Sequence, residues 1–298
     1  MAEIVLAARE DLDSAGLRGS FLVRDLDTGD ELGIDPDTEY PSASLVKVPL
    51  AVATLERVAR GELDPTTPIV VQPGRVTAPG PVGITKFRHP ATIALADLLY
   101  LTLSISDNAA ADALFGLTPP AAVSAEMARL GIEGISVRHL LDELTRTPTE
   151  MFEPDHAHLA HTLAITATTA GRGHPVPQLD ISRANTGSAR AFVALLQKIW
   201  RPSSIRPEAA AQVRRLMGEN MLRNRLAPDF GCDASRWSSK TGTLLNLRHE
   251  IGVVEHADGQ AFAVAALTES TVPATAQPAA EAVMAGVARR LRDELRRR

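Results

Sequence analysis

The chain has 298 residues, with 31 Lys and Arg against 36 Asp and Glu and a formal charge of −5 with the histidines neutral. Hydrophobic residues make up 45% and charged residues 22%, which excludes a disordered or collagen-like chain. The mild acidity argues against nucleic acid as a partner, because phosphate contacts need a basic field, and a chain this long buries a core without disulfides. Its one cysteine, Cys232, has no partner within the chain, which is compatible with a reducing compartment. No segment reaches the ~18 continuous apolar residues of a membrane span. The first twenty residues carry Glu3, Arg9, Glu10, Asp11, Asp13 and Arg18, unlike a secretory leader. A cytoplasmic monomer with neither membrane nor nucleic acid as partner is therefore expected, unless Met1 replaces a removed leader.

In chain order, residues 2–15 read as a helix with Ile4, Val5, Ala8 and Leu12 on one face. Ser20–Arg24 and Glu31–Ile34 flank Thr28-Gly29-Asp30 as a hairpin. After Pro41-Ser42-Ala43 a helix is expected from Ser44 through Leu50, Val52 and Leu55, stopped at Gly61. Residues 62–88, rich in Pro, Gly and Thr, read as loops with short strands. Thr92–Leu103 predicts a second helix, with a break at Ser104–Asp107 and another helix from Ala109. Ser188–Trp200 follows a capping sequence, Asn185-Thr186-Gly187-Ser188, and residues 208–223 make one more helix. Trp237–Leu245 and Glu250–Glu255 read as strands, and Asp258-Gly259 turns the chain into Ala261–Leu267. The last 25 residues form an Arg-rich amphipathic helix whose basic face is expected to be solvated.

Strands from both chain ends thus surround a helical middle, which suggests an α+β fold with helices on an antiparallel sheet and a helical lobe beside it. Three short motifs then stand in order: Ser44-Leu45-Val46-Lys47, Ser106-Asp107-Asn108 and Lys240-Thr241-Gly242. Each alone is weak, and each has an ordinary alternative: a Ser cap with a surface Lys, a turn capping the next helix, a surface strand. A serine hydroxyl needs a neighbour to remove its proton. Lys47, one turn below Ser44, can do so only if burial and a second ammonium depress its pKa from about 10.4. Lys240 is the obvious second cation. Ser106 and Asn108 lie on a loop between helices, while Asp107 is expected to brace that loop.

Together the motifs resemble those of the class A β-lactamase and penicillin-binding-protein superfamily, and the resemblance covers nearly the whole chain. It implies a single domain over 1–298, built as an α/β/α sandwich on a five-stranded antiparallel sheet. The sheet lobe would take about 1–43 and 206–298, the helical lobe about 44–205, with an atypical insertion at about 148–184. It implies a Ser44 nucleophile, Lys47 as base, Ser106 passing a proton to the leaving nitrogen, and Asn108 holding Lys47 and a substrate amide. Lys240 and Thr241 would bind a substrate carboxylate, Gly242 would let the ligand approach, and the N–H groups of Ser44 and Thr243 would form the oxyanion hole. Arg248 is a second carboxylate anchor by approximate offset only, with a surface-strand role as its alternative. No metal and no cofactor is implied. The substrate is a small molecule, a β-lactam or a related amide or ester.

Two departures stand out. Hydrolysis of the acyl-enzyme needs a water-activating group, and Glu143 falls at about the right distance. The Leu and Asn that follow this glutamate in class A enzymes are replaced here by Arg146 and Thr147, so Asp142, Glu150 and Glu153 share the candidacy. The insertion carries His156, His158 and His161, whose spacing invites a zinc reading that the serine chemistry does not need. The leading expectation is a β-lactam hydrolase acting through a Ser44 acyl-enzyme. The alternatives are a cytosolic esterase or amidase on the same scaffold and a penicillin-binding acyl trap without turnover.

Overall fold

A computed structural model describes residues 2–72, 82–145, 156, 159–166, 172–201, 203–274 and 276–297. Arg146, Thr147, Glu150, Glu153 and His158 lie outside the described residues. Helix α1 (Ala2–Ser14) leads into β1 (Leu17–Asp25), which pairs antiparallel with β2 (Glu31–Ile34). Between them the Asp25 carboxylate accepts the N–H groups of Asp27 and Thr28 at 2.8 and 3.1 Å, so a side chain fixes the turn. A short β3 (Glu39–Pro41) precedes α2 (Lys47–Ala59), and the chain leaves that helix through Gly61 at φ +74°, as expected for a glycine after a helix.

Strands β4 (Pro68–Val71) and β5 (Ala91–Ala94) pair with each other, followed by α3 (Leu95–Ser104), α4 (Asn108–Leu117) and α5 (Pro120–Arg129). The helix expected from Thr92 starts at Leu95 instead. Thr92 and Ile93 are β-branched, and they are drawn into the ladder opposite Val70 and Ile69. Next come β6 (Ile135–Ser136), α6 (Leu159–Thr166), β7 (Thr186–Ser188) and α7 (Ala189–Trp200). The Ser188 hydroxyl accepts the Ala191 N–H at 3.1 Å as the α7 cap. The next helix, α8 (Pro207–Gly218), stops short of residue 223, where Asn220 Oδ1 accepts the Leu222 N–H and turns the chain. The chain closes with α9 (Ala227–Phe230), β8 (Ser235–Leu244), β9 (Leu247–His256), β10 (Ala261–Ser270) and α10 (Pro278–Arg296).

The large sheet has the order β2-β1-β10-β9-β8, antiparallel throughout. Period two sorts its side chains onto two cores. Phe21, Val23, Phe262, Val264 and Ala266 pack under α1 and α10, whereas Leu22, Ala263, Ala265 and Leu267 join the core of α2, α3, α4, α7 and α8. Helices therefore cover both faces of a five-stranded antiparallel sheet, and β8 lies at its edge. The basic face of α10 is more than solvated. Arg289 pairs with Asp229, Arg290 with Asp11 and Arg296 with Asp258, contacts worth little individually at a surface. Among the described residues no helix is long and apolar enough to cross a membrane.

Beneath the edge strand, fully buried Glu250 accepts the Leu226 N–H at 2.7 Å and the Trp237 indole N–H at 2.9 Å. Trp237 packs on Phe230 with ring centroids 4.9 Å apart. Removing the donor alone leaves a buried carboxylate short of a partner, which costs about 1–3 kcal/mol. Trp237→Phe should therefore lower the unfolding free energy by that amount in a urea titration with an unchanged slope.

Candidate active site

Two strained backbone turns present the key hydroxyls. Ser44 is not the cap of α2: it sits in a 3₁₀ turn, Ala43–Val46, that feeds into the helix. Ala43, just before it, is held at φ +46°, a region a non-glycine residue enters at a cost of about 1–3 kcal/mol. Ser106 is likewise held at φ +62°. The surroundings hold both turns in place. The Ser42 N–H donates to Asn185 O at 2.7 Å and the Asp107 N–H to Leu101 O at 3.1 Å. Asp107, fully buried, caps α4 through the Ala110 N–H and also accepts the Thr85 hydroxyl and the Ile84 N–H. A Cβ at Gly83 would come within 2.3 Å of that carboxylate, so the brace requires a glycine there.

Lys47 is fully buried at the head of α2. Its ammonium reaches Ser44 Oγ at 3.1 Å, Ser106 Oγ at 3.1 Å, Ser106 O at 2.6 Å and Asn108 Oδ1 at 2.6 Å. Lys240, also fully buried, donates to Ser106 Oγ at 2.9 Å and to Thr241 O at 2.8 Å. Ser44, Lys47, Ser106 and Lys240 thus form one continuous line of polar contacts, with both hydroxyls half-buried and that of Ser106 between the two amines. Burial pushes the Lys47 amine down to about 7, while Asp107 and Asp112 pull the other way. Lys240 is held well below its ordinary value by burial, then by the charges of Lys47 and Arg225, against Glu250. Near neutrality Lys47 is partly unprotonated, which lets it take a proton from Ser44.

Strand β8 is pressed against the Ser44 turn. A Cβ on Gly242 would lie 3.0 Å from Ser42 O and 3.1 Å from Leu45 Cγ, so only glycine allows this approach without displacement. Three neighbours that motif reading did not find hold the strand. Buried Arg225 donates to Gly242 O, His249 O and Thr243 Oγ1 at 2.7–2.9 Å and pairs with Glu281. His249 donates from Nε2 to Pro41 O at 3.0 Å and accepts the Thr268 N–H at Nδ1. Burial takes its pKa down to about 3, so it ties β9 to the segment before Ser44 as a neutral ring. Asn220 donates to Ser239 Oγ at 3.1 Å. The sequence signal for His249 and Glu250 was two ionisable residues inside an apolar strand run; Arg225 gave none.

Arg248 stands apart from this line. Its buried guanidinium donates to Leu247 O and Ala274 O at 2.8 and 2.7 Å, and to Leu245 O. The guanidinium that touches β8 beside the motif belongs to Arg225. Glu143 is half-buried in a 3₁₀ turn, Leu141–Thr145, and its main-chain oxygen accepts the Gln178 amide at 2.9 Å. That turn hangs on α4, where Asp112 accepts the N–H groups of Leu141 and Asp142 at 2.6 and 2.8 Å. His161 lies on α6 and His156 outside it, and among the described residues no three metal-binding side chains converge.

A serine in the turn before α2, a lysine at its head, a loop serine and an edge-strand lysine on an α/β/α sandwich resemble the motif set of class A β-lactamases and penicillin-binding proteins. The chain belongs to the β-lactamase enzyme family, whose pattern matches residues 5–295. A relative described as "Beta-lactamase regulatory protein BlaB", from Streptomyces cacaoi, is 62% identical over 97% of this chain and 96% of its own. The fold is similar to that of PBP-A, with a TM-score of 0.77 at 17% identity over 100% of this chain and 97% of that one. It is similar also to a β-lactamase from Sphaerobacter thermophilus DSM 20745, with a TM-score of 0.73 at 21% identity over 97% and 96%.

The depressed Lys47 amine gives a direct test. The rate of Ser44 modification by a fluorophosphonate should rise with pH through a midpoint near 7. Lys47→Arg, which cannot lose its proton, should slow that modification by about 10²-fold or more.

Proposed function

We propose that the protein opens β-lactam rings by acylating Ser44 and releases the product by hydrolysis. The observation that carries this reading is the unbroken contact line from Ser44 through Lys47 and Ser106 to Lys240. Neutral Lys47 takes the Ser44 proton as Oγ attacks the lactam carbonyl. The N–H groups of Ser44 and Thr243 receive the developing oxyanion. The proton then passes through Ser106 to the lactam nitrogen as the C–N bond breaks. Lys240 and Thr241 take the substrate carboxylate, Gly242 leaves room along the strand, and the Asn108 amide holds the side-chain carbonyl. Arg225, at the back of β8, adds positive charge where that carboxylate binds. In the second step Glu143 activates the water that attacks the ester.

A second reading, acylation without turnover, is favoured by the relative named a regulatory protein. Only the acylation half of the site rests on a complete set of contacts; the hydrolytic half rests on one glutamate. Incubation with a chromogenic cephalosporin, followed by intact mass and absorbance, separates the readings. Hydrolysis predicts steady colour, abolished by Ser44→Ala, and a mass adduct that accumulates in Glu143→Gln. A single burst with a persistent adduct on the unmodified protein would instead establish the acyl trap. No adduct and no colour, with turnover of p-nitrophenyl esters, would replace both readings with an esterase.

A further inference from the structure

The two halves of the site meet at one carboxylate. Asp112 lies one turn after Asn108 on α4, so both side chains emerge on the same face of the helix. Asn108 Oδ1 receives the Lys47 ammonium at 2.6 Å. The two Asp112 oxygens each receive one main-chain N–H, Leu141 at Oδ1 and Asp142 at Oδ2, which are the residues immediately before Glu143. An ionised carboxylate is acceptor-only and satisfies both donors, whereas a protonated one is a poorer acceptor at the oxygen that carries the proton. Weakening one of two such bonds loosens the head of the turn.

We propose that Asp112 is a positioning residue that seats the Glu143 turn beside the acylation centre only while its carboxylate is ionised, so that the lifetime of a Ser44 acyl-enzyme lengthens as the medium becomes acidic. The proposal rests on the reading of Ser44 as the acylated residue and Glu143 as the water-activating one. The charge state is set within the physiological range. Burial raises the Asp112 carboxyl to about 6, opposed by the two N–H donors and by Lys47 and assisted by Asp142. Asp112 is the only ionisable residue of α4 itself. On the elements packed against α4 the titratable groups are Lys47, Glu56 and Arg57 of α2, Lys86, Asp97 and Tyr100, and Asp142 and Glu143 of the turn; of these, Lys47 and Asp142 are among the groups that move it. Above pH 6 the turn is held; below it the turn loosens. The same carboxylate acts on Lys47 by charge, so its ionisation also favours the protonated lysine. Acidification therefore loosens the hydrolytic turn and weakens the support for the lysine cation together.

The amide protons of Leu141 and Asp142 report on the contact without any substrate. In ¹⁵N-labelled protein their shifts and exchange protection should change together with a midpoint near pH 6, and Asp112→Asn should abolish that titration. In parallel, the decay of the penicillin adduct should slow at least threefold from pH 7.5 to 5 in the unmodified protein. In Asp112→Asn the decay should already be slow at pH 7.5 and should lack the step near pH 6. A thermal melt confirms that the variant is folded, and Asp112→Glu, which keeps the charge, should restore part of the titration. Amide signals flat across this range would overturn the proposal whatever the lactam does. Titrating amides with an adduct decay that ignores them would also overturn it. Absence of any adduct with titrating amides would refute the acylation reading and leave the ionised contact to Asp112 standing.

Discussion

The burial of the Lys47 amine is the constraint on which the rest of the structure depends. An ammonium taken fully out of water is costly unless acceptors surround it, and here four oxygens from three residues do so. Those acceptors hold the amine, but they do not offset its desolvation, so the proton is bound weakly enough to be exchanged near neutrality. Because every acceptor belongs to Ser44, Ser106 or Asn108, satisfying the lysine also assembles the reactive hydroxyls. Stability and reactivity thus rest on the same contacts.

The surrounding scaffold keeps this arrangement from relaxing. Asp107, locked by Thr85 and by the close approach of Gly83, holds the Ser106 loop in a backbone conformation it would otherwise leave. On the opposite wall, Arg225 grips three groups of β8 and β9, and neutral His249 fastens β9 to Pro41, three residues before Ser44. A second amine, Lys240, donates to Ser106 from this wall, and the charge of Lys47 adds to burial in holding Lys240 below its ordinary value. The two amines meet at one hydroxyl because rigid elements on both sides keep them there. The turn that carries Glu143 is attached through Asp112 and the Gln178 amide.

Much of this was legible in the sequence because its signals are local. Alternating apolar residues marked the strands, Gly61 marked the end of α2, and the spacing of Ser44 and Lys47 on consecutive turns placed both at one helix head. What was misread depended on distant partners. Thr92 and Ile93 fit a helical pattern, yet a neighbouring strand claimed them. The helix expected from Ser44 starts at Lys47, because the positive φ of Ala43 and the approach of β8 make a 3₁₀ turn over Ala43–Val46 instead. Arg248 has the offset of a carboxylate anchor and lies opposite Thr243 in the β8–β9 register, while its guanidinium reaches carbonyls around Leu245 and Ala274 and Arg225 donates to the Thr243 hydroxyl. Arginines carry no periodic signature, so only the fold reveals which one faces the strand.

The membership of the chain in the β-lactamase family and its 62% identity to a protein described as a regulator favour the two proposed readings in turn, hydrolysis and acylation without turnover. Both require a lysine that is neutral at working pH. The chain contains four lysines, Lys47, Lys86, Lys198 and Lys240, so each can be followed in a sample labelled with ¹³C at lysine Cε. Titration by NMR should show the Lys47 signal moving with a midpoint near 7, and the signal should vanish in Lys47→Arg. A Lys47 midpoint at the ordinary lysine value of about 10.4 would mean that the amine remains a spectator cation, and the activation of Ser44 described here would be wrong.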